Sequence, residues 1–450
     1  VISAATEVPT TVLEIMERLE QAGFRAYLIG GSVRDMLLGR CPKDYDIATD
    51  AVPAQVKALF ERAIPTGERF GTVTVRGEMD VEVTTFRKDG TYLDGRRPES
   101  VQFSKSLFDD VVRRDFTINA LARTRAGEVI DHVGGLQDLG RRVIRTVGDP
   151  DERFGEDALR MMRALRFSAQ LGDGFSIETA TLEAISRNAH LILNVSWERI
   201  RDELAGILLS DRPGVVRDLH HTGLLAHILP ELDACYGFDQ ASEHHDKDVF
   251  EHIVVALENT PPRLNVRLAA LLHDVGKPAT FSLDEEREGH FYGHHEESEE
   301  MARAALSRLR FDSRTVSTVS MLVREHMSRY GILRPKNIKR FIAKVGIENL
   351  QDLFDLQTAD ALASAPPHDL SKVLSLKREV KQVLDRGDPL TVKDLAITGR
   401  DLIKWGLKEG KDVGAMLDIM LDKVLDDPAL NTPERLRNIF DRVRRQNQPD

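Results

Sequence analysis

Asp44 and Asp46 stand two residues apart in "LIGGSVRDMLLGRCPKDYDIATD", behind a Gly30-Gly31-Ser32 turn and Arg34. Alternate residues of a strand face the same side. Two carboxylates so placed can share a pair of divalent cations, one activating an attacking hydroxyl and one steadying a triphosphate. Two Mg²⁺ ions suit that set of oxygens. A glycine turn at the start of a helix presents backbone N–H groups to phosphate oxygens, and Arg34 adds positive charge toward them. A third carboxylate commonly comes from a neighbouring strand, and Glu82 in "MDVEVTTF" is the candidate. An Asp-x-Asp pair alone is more often a solvated turn. The two glycines ahead of it shift the reading to nucleotide chemistry.

Three further clusters carry reactive residue types. In "RRDFTINA" a helical reading places Asp115 and Asn119 on one face at i, i+4, just after Arg113 and Arg114. In "EDALR" Glu156, Asp157 and Arg160 crowd one side of a helix, which in isolation is an ordinary ion-pair set. Eleven of the fourteen histidines fall between His220 and His326. There "LLHDVGKP" sets His273 beside Asp274 at the end of an apolar helix stopped by Gly276 and Pro278. His252 lies on the preceding predicted helix and Asp360 on a later one. His294 or His295, with His326, can complete a second site. Imidazoles and carboxylates without thiolates suit Mn²⁺, Mg²⁺, Ni²⁺ or iron. The competing reading is a scaffold of packed helical histidines.

The elements that must position these residues change character along the chain. Short strands ("RAYLIG", "DYDIAT", "TVTVRG", "MDVEVTTF") alternate with helices ("SVRDMLLG", "VPAQVKALFE") up to about residue 145. The strands are too closely spaced for a doubly wound sheet, so this part reads as an α+β head. Beyond about 146 strand signals vanish and helical periodicity takes over, as in "WERIRDELAGILLS" and "TVSTVSMLVREHM". "LSDRPG" and "DRGDPL" mark breaks.

A chain of 450 residues exceeds one ordinary core, so two to four domains are expected. Two distant cysteines, Cys41 and Cys235, argue against a disulfide framework. The first residues read as a short lead and an amphipathic helix rather than a signal peptide, and no apolar run is long enough to span a bilayer. The cytoplasm is the expected compartment and no membrane partner is expected. Net charge is −11, but most of the acid excess lies in residues 231–370, with 24 Asp/Glu against 16 Lys/Arg. The other segments are close to balance and can present local basic surface to RNA.

"GGSVRDMLLGRCPKDYDIAT", followed in order by "DDVVRRDFTINALA", "GGLQDLGRRVIRTVGDP", "RFGEDALRMMRALRF" and "ERIRDEL", resembles the class II tRNA nucleotidyltransferases and the related bacterial poly(A) polymerases. The resemblance is strong over about 25–210. "ITGRDLIKWGLKEGKDVG" is similar to the tail of the HD-containing branch. It implies a polymerase-beta-like head of mixed sheet and helices (1–145), a helical neck (146–230), an HD-type helical domain (231–370) and a tRNA-binding tail (371–450). It further implies that Arg114, Asp115 and Asn119 bind ribose and phosphates, and that Glu156, Asp157, Arg160 and Arg163 belong to a nucleotide-selecting helix. In such a template Asp157 accepts from the exocyclic amine of cytosine or adenine while Arg160 donates to the ring nitrogen. Uracil and guanine present the opposite pattern and leave buried charge unpaired. Glu156 can orient Arg160. The His252, His273, Asp274, Asp360 order resembles the HD phosphohydrolases.

The activity so implied is template-independent addition of CMP and AMP, from CTP and ATP, to the 3′ end of tRNA. Addition of A alone or of a poly(A) tail are the alternatives, and an HD phosphohydrolase is the alternative of another class. "FRKDGTYLDGRRPESVQF", rich in Gly and charge, reads as a loop that C-only members lack.

Overall fold

The computed structural model describes residues 7–90, 101–172, 174–240, 246–285, 289–330 and 335–446. The chain forms two compact units, Val1–Pro230 and Glu231–Asp450.

The first unit is built on a seven-stranded mixed sheet. Its strands are β1 (Ala26–Ile29), β2 (Asp46–Thr49), β3 (Ala63–Gly67), β4 (Thr72–Val75), β5 (Val81–Thr85), β8 (Ala122–Arg123) and β9 (Val129–Ile130). The outlying β6 (Arg87–Asp89) and β7 (Val101–Phe103) pair antiparallel. The order across the main sheet is β3-β4-β5-β2-β1-β8-β9. β2 and β5 are parallel, with Asp46 opposite Glu82, and the other neighbours run antiparallel. β1 and β2 lie inside the sheet, and their apolar side chains are buried on both faces: Leu28, Ile29, Ile47 and Ala48 are all fully enclosed. Ile29, Ala48, Phe86, Val111 and Ala122 join one core cluster.

Gly30 joins β1 to helix Gly31–Leu37 with φ +82° and ψ −138°, a backbone region that L side chains avoid. A Cβ here would also meet an Arg114 Nη1 at 3.2 Å. The predicted strands of the head are present, but the Asp44–Asp46 pair only straddles the start of one. β2 begins at Asp46, and Asp44 lies in the approach to it.

Two local expectations are corrected. "RRDFTINA" is not one α-helix: helix Leu107–Val112 ends, Phe116 bridges to Thr146, and Thr117–Asn119 make a 3-10 turn. Strands also do not vanish after residue 146. Ser176–Ile177 pairs with Val143–Ile144, and Ser282–Leu283 pairs with Gly289–His290. Two-residue strands are too short to show a period in sequence.

The second unit is almost wholly helical. Helices Val249–Glu258, Leu264–Leu272, His294–Arg308, Ser313–Glu325 and Leu350–Ala363 pack on one another. Asp248 caps the first, its carboxylate accepting from Glu251 N–H at 2.6 Å, and Asp312 caps the fourth in the same way. Such caps are worth about 1 kcal/mol each. A separate cluster around Leu402, Met420, Val424, Leu436 and Phe440 holds the C-terminal helices. Among the described residues no helix is long and apolar enough to cross a membrane.

Candidate active site and metal centre

The parallel register of β2 and β5 sets Glu82 beside Asp46, and Asp44 lies two residues upstream. Burial raises the Asp46 carboxyl to about 6; Arg114 opposes this, while Glu82 and Asp44 add to it. Three carboxylates crowded in this way form a hard-oxygen donor set, which fits a divalent cation. Asp44, Asp46, Gly31, Ser32, Arg34 and Arg166 line one cleft of about 560 Å³. Ser32 Oγ donates to Ile29 O at 3.2 Å, which steadies the turn.

Arg34 lines this cleft but is already engaged. It pairs with Asp35 at 2.7 Å, and its Nη1 donates to Asn119 Oδ1 at 2.6 Å. Asn119 in turn donates to Asp115 at 3.3 Å, and Arg163 donates twice to Asp115, at 2.9 and 2.7 Å. Burial would raise the Asp115 carboxyl, but Arg163 outweighs it and holds it down at about 2. Asp115 and Asn119 therefore meet as the helical reading intended, through a 3-10 turn instead of an α-helix. The network ties the Gly-Gly-Ser helix to helix Leu159–Gln170. Arg34, Arg163 and Arg166 also surround the Phe167 ring at 5.2, 5.3 and 4.5 Å.

"EDALR" is not continuous helix. Helix Pro150–Glu156 stops, Asp157 is extended (φ −146°, ψ 101°), and helix Leu159–Gln170 starts anew. Glu156 and Arg160 pair as expected, at 2.5 Å. Asp157 does not pair with Arg160. Its carboxylate takes two bonds from Arg199, at 3.3 and 2.7 Å, and one from Leu159 N–H at 3.1 Å. A carboxylate has about four acceptor positions, so this arrangement leaves one, on Oδ2. Arg160 also donates to the carbonyls of Arg153 and Arg113, both at 3.1 Å.

Four charged residues of this network, Asp110, Arg166, Arg199 and Glu203, were not singled out from sequence. Asp110 is fully buried and holds Arg113 at 2.6 Å and Arg114 at 3.0 Å. Its i+3, i+4 spacing to those arginines was a readable signal. Arg199, and Glu203, which pairs with Arg166 at 2.6 Å, are distant in sequence and gave none beyond the motif "ERIRDEL". The predicted loop "FRKDGTYLDGRRPESVQF" lies largely outside the described residues.

In the second unit, His252 Nε2 lies 3.0 Å from Asp360 and 3.4 Å from Asp274. His273 lies 3.3 Å from Asp274. On the other side of Asp274, Oδ1 is 3.4 Å from His294 and 3.6 Å from His326. Two triads that could each hold an ion, His252–His273–Asp274 and Asp274–His294–His326, thus share one aspartate. The partner of His326 is buried His294, not the neighbouring His295. His273 Nε2 and Asp274 Oδ1 are buried and make no hydrogen bond of acceptable geometry. Orphaned acceptors of this kind are what a bound cation satisfies. Lys277 Nζ stands 2.8 Å from Asp274. Gly276 makes the close packing possible, since a Cβ there would meet Ser298 N at 2.6 Å and His294 O at 2.8 Å.

A family profile described as the poly(A) polymerase head domain matches residues 26–145. A probable RNA- and SrmB-binding site of polymerase A matches 174–236, an HD domain 250–365, and a putative tRNA nucleotidyltransferase domain 2 matches 337–439. A CCA-adding enzyme of Lactobacillus delbrueckii subsp. bulgaricus is 47% identical over 264 residues, covering 57% of this chain and 66% of that protein. One from Anoxybacillus flavithermus is 51% identical over 223 residues, covering 49% and 55%. The chain thus spans between half and two thirds of the curated relatives it matches. The crystal structure of the Bacillus stearothermophilus CCA-adding enzyme in complex with CTP superposes with a TM-score of 0.70 at 30% identity, covering 97% of this chain and 98% of that one. The Thermotoga maritima CCA-adding enzyme complexed with tRNA shares the fold, with a TM-score of 0.58 at 19% identity. Four profiles in order and near-complete structural coverage at 30% identity show that the chain belongs to the class II CCA-adding enzyme family.

Proposed function

We propose that this chain appends CMP and AMP, from CTP and ATP, to the 3′ end of tRNA, releasing pyrophosphate. The observation that carries the reading is the placement of Asp46 opposite Glu82, with Asp44, Asp46, Gly31 and Ser32 lining one cleft. Asp44 and Asp46 hold Mg²⁺, with Glu82 beside them. When bound, the metal pair lowers the pKa of the attacking hydroxyl and neutralises charge on the triphosphate. The turn residues Gly30, Gly31 and Ser32 face the phosphates. Arg34, Arg114, Asp115 and Asn119 fix the cleft's polar wall for phosphates and ribose.

Base choice falls to residues 156–163. Arg199 holds Asp157 rigid and leaves one acceptor, which suits a single exocyclic amine. Glu156 holds Arg160 in turn. Arg163, braced by Asp115, ties this helix to the segment between helix Leu107–Val112 and the 3-10 turn at Thr117–Asn119. The 30%-identical Bacillus stearothermophilus relative was solved in complex with CTP, which supports CTP as a substrate of this chain. The segment 371–450, where basic residues slightly outnumber acidic ones, is assigned to tRNA, and the compartment is taken as the cytoplasm.

Complete CCA addition is favoured over A-only addition because the chain's matches include CCA-adding enzymes at 47–51% identity. The test offers tRNA ending before CCA, after C, and after CC, with CTP and ATP, and sequences the products. All three are expected to end in CCA. Extension of the CC-ending substrate alone would leave A-only addition, and a long A tail would leave polyadenylation.

A second site is favoured by one observation, the two metal-fitting triads that share Asp274. We infer that it holds Mn²⁺, Ni²⁺ or Mg²⁺ through His252, His273, Asp274 and Asp360, with His294 and His326 on the far side. Its chemistry is hydrolysis of a phosphate ester: water adds to phosphorus and a P–O bond to the alcohol oxygen breaks. Hydrolysis of 2′,3′-cyclic AMP is expected to survive Asp46→Ala and to fall below detection in Asp274→Ala. Equal activity in Asp274→Ala would refute the assignment.

A further inference from the structure

The cavity over Asp274 has a rim that the metal-ligand set does not explain. It measures about 300 Å³ and is lined at its floor by Asp274, His294, His326 and Asp360, and at its mouth by His290 and Tyr292. Tyr292 is 78% exposed, the highest value among the described large hydrophobic side chains. An aromatic ring is normally covered, because leaving it in water forfeits about 1.5–3 kcal/mol of burial. This one is exposed but backed. Its ring stacks on His290, with centroids 5.2 Å apart and planes 16° apart. His290 is anchored in turn by Asp284 at 2.8 Å and by the short pairing of Gly289–His290 with Ser282–Leu283. One face of Tyr292 is therefore backed and the other is open. Beneath it, buried Lys277 supplies the cavity's cation, held by Asp274 at 2.8 Å and Gln240 at 2.7 Å.

We propose that Tyr292, backed by His290, is a stacking platform for the base of a nucleoside phosphate whose phosphate reaches the cluster around Asp274. The proposal rests on the phosphohydrolase reading of that site and names its substrate class. An open aromatic face accepts any base, since every base has a π-face, and such stacking contributes about 1–3 kcal/mol per base. Among the described residues lining the cavity, no array of side chains is arranged to read a base edge. Recognition is thus of base plus phosphate, with little preference among the four bases.

The test uses the full chain with Mn²⁺. Tyr292→Ala is expected to raise KM for 2′,3′-cyclic AMP about ten-fold with kcat within about two-fold, as stacking energies of that size imply. Tyr292→Phe, which keeps the ring, is expected to restore KM. Hydrolysis of glycerol 2-phosphate, which has no base, is expected to be unaffected by either change. A second readout needs no turnover: photolysis with 8-azido-AMP should label the segment around His290–Tyr292, and the label should be lost in Tyr292→Ala. An unchanged KM in Tyr292→Ala, or labelling equal to wild type, overturns the platform while Asp274-dependent hydrolysis still stands. Labelling at Tyr292 without hydrolysis of any phosphate ester overturns the hydrolase reading and keeps the platform.

Discussion

Asp46→Asn is expected to lower nucleotide incorporation by about 1,000-fold, equivalent to roughly 4 kcal/mol of lost transition-state stabilisation. The substitution keeps the shape of the side chain and removes the charge that a cation needs. Stability is expected to hold or rise. Burial is the main penalty on the Asp46 charge, and with Glu82 and Asp44 it outweighs the attraction of Arg114, so an uncharged amide relieves that penalty in the metal-free protein. The two readouts therefore move apart, with incorporation lost and the thermal midpoint unchanged or higher. Incorporation within about ten-fold of wild type would remove Asp46 from the metal site. A collapse of the thermal midpoint would mean that the carboxylate is structural.

Asp157→Ala is expected to reduce kcat/KM for CTP and ATP by about 10- to 100-fold and to leave the residual rate with UTP nearly unchanged. A hydrogen bond to a charged partner is worth about 1.5–3 kcal/mol, and uracil, with a carbonyl where cytosine has its amine, has no donor to use it. Discrimination against UTP should fall by the same factor. The geometry adds a second effect. Removing Asp157 frees Arg199, whose two bonds to that carboxylate are its described side-chain partners, and places an unpaired guanidinium beside the base. Arg199→Ala should thus weaken selection too, because Asp157 loses its brace but keeps its charge. Measuring kcat/KM for CTP, ATP and UTP on one tRNA decides the matter. Undiminished discrimination in Asp157→Ala would move base selection elsewhere.

Both predictions begin from residues that could be picked out of the chain, yet the two sites were legible to different depths. Around Asp44 and Asp46 the chemistry is local. A glycine that alone tolerates φ +82°, a helix start and an alternating pair all lie within twenty residues, and short-range backbone geometry decides them. Glu82 was also within reach, because "MDVEVTTF" alternates as a strand must. The register that puts it opposite Asp46 was not, since pairing depends on which strands lie adjacent.

At "EDALR" the periodicity misled. Glu156, Asp157 and Arg160 fit one helical face, but the helix breaks at Asp157, whose carboxylate accepts from Arg199 and from the Leu159 N–H. A side-chain bond to the backbone N–H two residues on is the local bond by which Asp competes with helical backbone bonding and favours a helix start. Arg199, 42 residues away, is supplied only by the packing of helix Trp197–Leu208 on helix Leu159–Gln170. The same division holds at the second site. Residue types and order marked His252, His273, Asp274 and Asp360, while the choice of His294 over His295 turned on which of two adjacent helical positions faces Asp274. Adjacent positions on a helix lie about 100° apart, so one residue of phase decides which imidazole is buried. Residue type and short-range spacing thus set the chemistry this chain can do. The partners of each charge, and so the geometry of selection, were decided by packing, because ion pairs form between elements that only the tertiary fold brings together.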